Sequence, residues 1–239
     1  MATPSKKITN WSFSRYNVYK LCPFKAKLSI IDKIREPQNE AMARGDAIHK
    51  LAEKYVKGEL LRLPAELKLF EDDFKELRKQ YKKSISGMVV EDNWSFTKDW
   101  DGTRWDDWIN CWVRIKLDLA YQLSDTVLRV RDWKTGKHDP RRQEEYMEQL
   151  ELYALAALLA LPHIEEVQPE LAYLDLGIVE PKEPLRFTRA DIPRLKKLWE
   201  KRVKPMLSDT RFAPRPNDKC KWCHYRAGNK ANGGGQCKY

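Results

Sequence analysis

The stretch Val127-Leu128-Arg129-Val130-Arg131-Asp132-Trp133-Lys134-Thr135-Gly136-Lys137 reads as a β-branched strand that ends in an acid, a spacer and a lysine, then turns at a glycine. Alternate residues of a strand share a face, so Asp132 and Lys134 project together. A carboxylate can hold a divalent cation, and an ammonium beside it can orient a water or stabilise a phosphoryl oxygen. Taken alone, such a D-x-K is an ordinary ion pair at a strand end. Asp118 adds weight, because residues 111–122 alternate Val113, Ile115, Leu117 and Leu119 with Arg114, Lys116 and Asp118. Residues 123–126 read as a turn, so the two segments form a hairpin. If its centre falls on Asp125, Asp118 faces Asp132, and two acids that close need a cation or a proton between them. A one-residue slip would undo the pairing.

Three further constellations could carry chemistry. His49 closes Gly45-Asp46-Ala47-Ile48-His49 on an apolar helical stretch. A lone histidine there is more often a satisfied core residue, and it becomes a ligand candidate if its helix crosses the strand ends near Asp118 and Asp132. Gln149 and Tyr153 are one helical turn apart and share a face. They are either the polar edge of a buried helix or a pair that reaches a nucleic-acid backbone or an attacking water. Cys220-Lys221-Trp222-Cys223, with Cys237 nearby, has the spacing of half or more of a metal site, suited to zinc or to iron–sulfur. A fourth ligand could be His224 or the distant Cys22, whereas Cys111 lies within an apparent strand and reads as a core cysteine.

The elements that must position these residues follow from periodicity and turn chemistry. Ser12-Phe13-Ser14 can cap a short helix that runs through Leu21 and is stopped by Cys22-Pro23. Residues 39–57 form a helix ended by Gly58, and Pro64 opens another with Leu67, Phe70, Phe74, Leu77 and Tyr81 on one stripe. From Ser86 the pattern changes to strands, the first at 87–97 and carrying Glu91. A loop at 99–108 holds Trp100, Trp105 and Trp108. After the hairpin come a helix at 141–161, apolar in its second half, a strand at 170–179, and a helix begun by Thr188 and Asp191 that runs to about 207. Residues 208–219, with Pro214 and Pro216, read as a linker to a cysteine tail at 220–239. This order predicts an α/β fold with a mixed sheet flanked by helices, divided into a core at 1–219 and a tail at 220–239 completed by Cys22.

With 239 residues, 42% of them hydrophobic, the chain supports a sizeable core, and its net charge of +10 favours a polyanionic partner. No apolar run suffices to span a membrane, and residues 1–10 lack the apolar core of a signal peptide. The expectation is therefore a cytoplasmic setting with reduced thiols, in which five cysteines suggest metal or cluster ligation before disulfides.

Together these residues resemble the RecB-like exonuclease branch of the PD-(D/E)XK nuclease superfamily, which includes CRISPR-associated and phage-borne enzymes. Ser12-Phe13-Ser14 through Cys22-Pro23 is similar to that family's opening S-x-S…CP, and Gly45 to His49 to its G-x-x-x-H. Asp118 stands at its second acid, Asp132 to Gly136 at its D-x-K-T-G, and Gln149 to Tyr153 at its Q-x-x-x-Y. The resemblance implies that His49, Asp118 and Asp132, with the backbone carbonyl of Trp133, bind Mg²⁺ or Mn²⁺. It implies that Lys134 positions or polarises the water and that Gln149 and Tyr153 hold DNA or water. Glu91 falls on a strand where relatives often carry a glutamate, and it receives no firm role. Some members bind a 4Fe–4S cluster, which maps here to Cys22, Cys220, Cys223 and Cys237, with zinc as the alternative. Two features depart from the pattern: Ile115 stands where the family usually has glycine, and thirteen residues separate Cys223 from Cys237 where relatives have about five.

The leading expectation is a metal-dependent DNA exonuclease acting at DNA ends, on single strands. It would work inside a cell, the host cell if the gene is phage-borne. Arg129, Arg131, Lys137, Arg141 and Arg142 flank the site and could contact phosphates, although each taken singly is more often a solvated charge, and Trp100, Trp105 and Trp108 either stack on unpaired bases or pack against the sheet. The alternatives are a non-cleaving DNA-binding or assembly protein on the same fold, a DNA endonuclease, and a zinc protein whose acids are incidental. The residues specify no protein partner, and a homo-oligomer stays open.

Overall fold

The computed structural model of the protein describes residues 7–83 and 87–239. The reading of residues 1–10 and the change of pattern at Ser86 involve residues outside that set. The chain forms two compact units, Met1–Gln38 with Trp199–Tyr239, and Asn39–Leu198. The expected boundary at 219/220 falls inside the first of them.

In the first unit, α1 (Phe13–Leu21) is capped as expected, with the Ser12 hydroxyl accepting from the Arg15 N–H at 3.3 Å. Cys22 turns extended and Pro23 opens α2 (Pro23–Ala26), because proline fits a first helical position that needs no donor. The interior is aromatic: Trp11 stacks on Trp199 at 5.5 Å and Tyr16 meets Trp199 edge-on at the same distance. The 208–219 segment is not a free linker. Phe212 is buried, and the Asp209 carboxylate accepts from the N–H groups of Arg211 and Phe212.

The second unit carries the sheet. Helix α3 (Glu40–Val56) is capped by Asn39. A 3₁₀ segment, Ala65–Phe70, leads into α4 (Glu71–Lys83), so the one expected helix is two. Strands β1 (Met88–Phe96), β2 (Val113–Gln122) and β3 (Val127–Lys134) form an antiparallel meander. Helix α5 (Gln143–Ala160) crosses over to β4 (Glu166–Tyr173), which pairs parallel with β3. β5 (Ile178–Glu180) and β6 (Phe187–Thr188) both pair antiparallel with β4. The expected strand at 170–179 is therefore two strands joined by a tight turn, where Gly177 takes a φ of +67°. A Thr188–Asp191 capping box precedes α6 (Ile192–Ser208), as the spacing predicted.

The helices cover the sheet from both sides. Ile48, Ala52 and Tyr55 of α3 and Phe74 and Leu77 of α4 pack on Leu119, Tyr121 and Trp133. Ten residues of α5 are buried, with Tyr146 and Leu150 against Leu171 and Tyr173. Among the described residues no helix is long and apolar enough to cross a membrane.

Candidate metal centre and active site

Strand register alone brings three acids level. The β2–β3 ladder pairs Leu119 with Arg131 and Ala120 with Val130, so the next step sets Asp118 opposite Asp132. The β1–β2 ladder pairs Val90 with Leu119 and Asp92 with Leu117, which sets Glu91 opposite Asp118 on the other side. Pairing breaks at Glu91 itself, whose φ of +50° lies in the left-handed region. A non-glycine residue held there costs about 1–3 kcal/mol and persists where neighbours over-determine it, most often at functional sites.

Helix α3 brings the imidazole. His49 Nε2 lies 3.0 Å from the Trp133 carbonyl oxygen. Its Nδ1 lies 3.2 Å from Asp118 Oδ1 and 3.4 Å from Glu91 Oε1. The close approach of helix to strand end depends on Gly45, since a Cβ there would sit 3.1 Å from the Thr135 hydroxyl. Arg44 adds a bidentate pair with Asp175, whose carboxylate also accepts from the Gly136 N–H. Gly136 has a φ of +86°, so the turn after Lys134 needs glycine.

Asp118 Oδ2 accepts from the Trp133 N–H at 2.7 Å. Lys134 Nζ lies 2.6 Å from Asp132 Oδ2 and donates to Gln149 Oε1 at 2.9 Å. Gln149 Nε2 donates to Asp132 Oδ1 at 3.0 Å and to the Tyr153 hydroxyl at 2.7 Å. The Tyr146 ring closes the group, 4.8 Å beneath the Lys134 ammonium. Gln149 and Tyr153 thus do face the acids, a placement that α5 provides by helical spacing.

Burial and mutual charge shift the ionisable groups of the site. Burial raises the Asp118 carboxyl above its usual range, and the charge of Asp132 raises it further. Burial works against the charged form of His49, but Asp118 and Glu91 outweigh it and push the imidazole up to about 10. The Tyr153 phenol is held well above its usual value, first by burial and then by Asp132 and Asp118. Burial also disfavours charge on Glu91, yet His49 and Lys116 hold its carboxyl below the usual value.

Among the described residues, His49, Glu91 and Asp118 bring three ligand atoms within 4.8 Å of one another. Glu91 Oε1 and Asp132 Oδ2 are both buried with no well-formed hydrogen bond within the protein, although His49 Nδ1 and Lys134 Nζ respectively stand close to them. Two carboxylates and an imidazole are a donor set that suits a hard divalent cation, so the residues fit the metal the resemblance implied. The trio contains Glu91, to which the sequence assigned no firm role, in place of Asp132, whose oxygens Lys134 and Gln149 engage. Lys116, 2.6 Å from Glu91 Oε2, is a site neighbour to which the sequence reading gave no role. Its signal was alternation, since it shares a strand face with Asp118.

Some expected phosphate contacts are corrected. Arg131 is buried and bound to Glu170 and Asp73, and Arg129 is bound to Glu170 and Gln168. Odd positions of β3 face away from Asp132 and Lys134, so these two cations serve the opposite side of the sheet. Arg141 pairs with Asp139 and Arg142 with Glu145 at the surface. Trp100 is also withdrawn from base stacking, being buried against Phe96 and Trp112.

In the other unit, Cys22, Cys220, Cys223 and Cys237 line one cavity of about 140 Å³. The sulfur of Cys22 accepts from the Arg215 N–H at 3.4 Å and that of Cys220 from the Asn217 N–H at 3.3 Å. Burial raises the Cys223 thiol. The long spacing before Cys237 folds as a 3₁₀ turn, Ala227–Asn232, and a glycine return that brings Cys237 beside Arg226. A Cβ on Gly234 would lie 2.0 Å from the His224 carbonyl oxygen, so this return requires glycine.

Comparisons with known proteins bear on the whole arrangement. No curated protein sequence matches the chain. The crystal structure of a "Putative exonuclease" from Eubacterium rectale is 13% identical, covers 94% of this chain and 88% of that one, and superposes with a TM-score of 0.52. That likeness shows the fold alone. A crystal structure of SSO0001 is 16% identical over 92% of this chain and 85% of that one, at a TM-score of 0.42 too low to carry an argument. The model of the PD-(D/E)XK nuclease superfamily matches residues 10–227. With that match spanning most of the sequence and a mixed sheet carrying the acids at its centre, the chain belongs to the PD-(D/E)XK nuclease superfamily.

Proposed function

We propose that the protein is a Mg²⁺- or Mn²⁺-dependent DNA exonuclease of the RecB-like branch, hydrolysing phosphodiester bonds at the ends of single strands. The observation that carries this reading is the meeting of His49, Glu91 and Asp118 beside the Asp132–Lys134–Gln149 chain. His49, Glu91, Asp118 and the Trp133 carbonyl would hold the cation, with Asp132 level with them across the ladder. A cation held there supplies positive charge next to the reacting phosphate.

The remaining chemistry belongs to the chain. Lys134, fixed between Asp132 and Gln149, presents its ammonium to the attacking water or to a phosphoryl oxygen, where it stabilises charge that develops in the transition state. Gln149 orients both Lys134 and Asp132. Tyr153 stays a neutral phenol and offers a hydroxyl without adding charge. The +10 net charge supplies sequence-independent attraction to the phosphate backbone, weakening with salt.

The same reading places a 4Fe–4S cluster on Cys22, Cys220, Cys223 and Cys237. Its support is the shared cavity and the backbone N–H groups aimed at two of the sulfurs, the kind of hydrogen bonding that tunes a thiolate-held cluster. A single zinc with bonds of about 2.3 Å draws its sulfurs to roughly 3.8 Å from one another. Zinc on the same four cysteines is the alternative.

End-labelled linear DNA and closed single-stranded circles, each with Mn²⁺ and with chelator, test the activity. Metal-dependent trimming of linear strands with circles untouched is the expected result. Cut circles would make the enzyme an endonuclease, and intact DNA of both kinds beside normal binding would make it a non-cleaving binding protein.

A further inference from the structure

The connection between β1 and β2 exposes aromatic surface that the metal centre does not use. Trp108 is 74% exposed and Ile109 92%. The Arg114 guanidinium lies 4.3 Å from the Trp108 ring centre and 5.5 Å from that of Trp105, and it donates to the Trp105 carbonyl oxygen at 3.1 Å. The turn that presents these rings is braced. The Asp107 carboxylate accepts from the N–H groups of Ile109 and Asn110, from the Asn110 side chain and from the Thr103 hydroxyl. A rigid turn that holds a tryptophan in water does nothing for the core.

Its position gives it a use. Arg114, Lys116 and Asp118 occupy alternate positions of β2 and share a face. The four residue steps from Asp118 to Arg114 span about 14 Å of strand. That is roughly four nucleotides at the 3.4 Å rise of one stacked strand. The connection is mixed in charge: Lys98, Asp99 and Asp101 are exposed there, and Asp106 is held by Arg104. Ring faces, not charge, are what it offers. An unpaired base has a free face to stack on a ring, whereas a paired base within a duplex has both faces covered.

We propose that Trp108, backed by Arg114 and flanked by Trp105, is a stacking platform for an unpaired base about four nucleotides from the bond that is cut. The proposal rests on the reading of the protein as a nuclease acting on single-stranded DNA ends. The platform sets the length of strand the enzyme grips, and it favours a frayed or single-stranded end over a blunt duplex.

The test is the binding, in chelator so that no strand is cut, of labelled oligothymidylates of 3 to 12 nucleotides to the full chain carrying Lys134→Ala. Affinity should step up about tenfold as the oligonucleotide grows past roughly four to six nucleotides, the scale of one stacked base. Adding Trp108→Ala should remove the step while leaving the trinucleotide affinity in place, and Trp108→Phe should restore most of it. Equal affinities for Trp108→Ala and its parent at every length would overturn the platform, even where the chain with Lys134 intact trims DNA normally. Self-association that Trp108→Ala abolishes, with no change in DNA affinity, would overturn it too and assign the surface to a second copy. Failure of oligonucleotides of every length to bind the parent would sink the platform and the nuclease reading together.

Discussion

The acid centre in Asn39–Leu198 and the cysteine cavity in the other unit hold their chemistry in different ways. At the acid centre the side chains engage one another: His49 meets Asp118 and Glu91, Lys134 meets Asp132 and Gln149, and Gln149 meets Tyr153. At the cysteine cavity the sulfurs are held by backbone, through the N–H groups of Arg215 and Asn217 and the pairing of Cys237 with Arg226. A pre-organised polar network keeps its shape before a ligand arrives, so its residues act mainly on rate. A ring of thiols with no mutual bonds gains its stability from whatever it binds, so its residues act mainly on folding.

The sharpest way to break this contrast is at Lys134. Lys134→Ala should lower the cutting rate by about 100- to 1000-fold, the scale of removing one transition-state donor, while Mn²⁺ binding by calorimetry stays near the parent value. A rate loss under threefold would remove Lys134 from the mechanism. Cys220→Ser should give colourless protein with a melting temperature lower by about 10 °C, on the order of 3 kcal/mol for a chain of this size. A parental melting curve and spectrum would show that the cysteines bind nothing that matters for stability.

pH separates the two regions more finely. His49 titrates near 10 in the folded chain, because Asp118 and Glu91 overcome the burial that opposes its charge. Unfolded, it titrates near 6.5. A raised pKa stabilises the fold fully below the unfolded value, and that contribution is lost as pH rises through the folded one. Metal-free protein should therefore lose on the order of 5 kcal/mol between about pH 6.5 and 10 that His49→Gln does not lose. Parallel stability curves for the two proteins would contradict that pairing. The smallest effect belongs to Tyr146, whose ring lies 4.8 Å beneath Lys134. Tyr146→Leu should slow cutting about three- to tenfold at unchanged Mn²⁺ affinity, the worth of one partly desolvated cation–π contact.

What could be foreseen from the sequence follows the range of the forces involved. The hairpin was readable from alternation and a polar turn, but its register was not: the ladder itself centres it on Asp125 and puts Asp118 opposite Asp132. The caps at Ser12 and Thr188 were local and readable. Strand β4 starts four residues before its predicted position because Gln168, Pro169 and Glu170 hide a central strand, and the polar members are tolerated through Arg129 and Arg131. The place of Glu91 depends on a left-handed φ that a glutamate does not advertise. The burial of Phe212 and Trp100 depends on tertiary packing, to which composition is blind.

The central claim is that one cation sits among His49, Glu91 and Asp118. Anomalous diffraction from crystals soaked in Mn²⁺ tests it directly. The account predicts a single strong peak within bonding distance of His49, Glu91 and Asp118 and of the Trp133 carbonyl, lost in Asp118→Asn. A manganese peak elsewhere, or none in a protein that still cuts DNA, would contradict it.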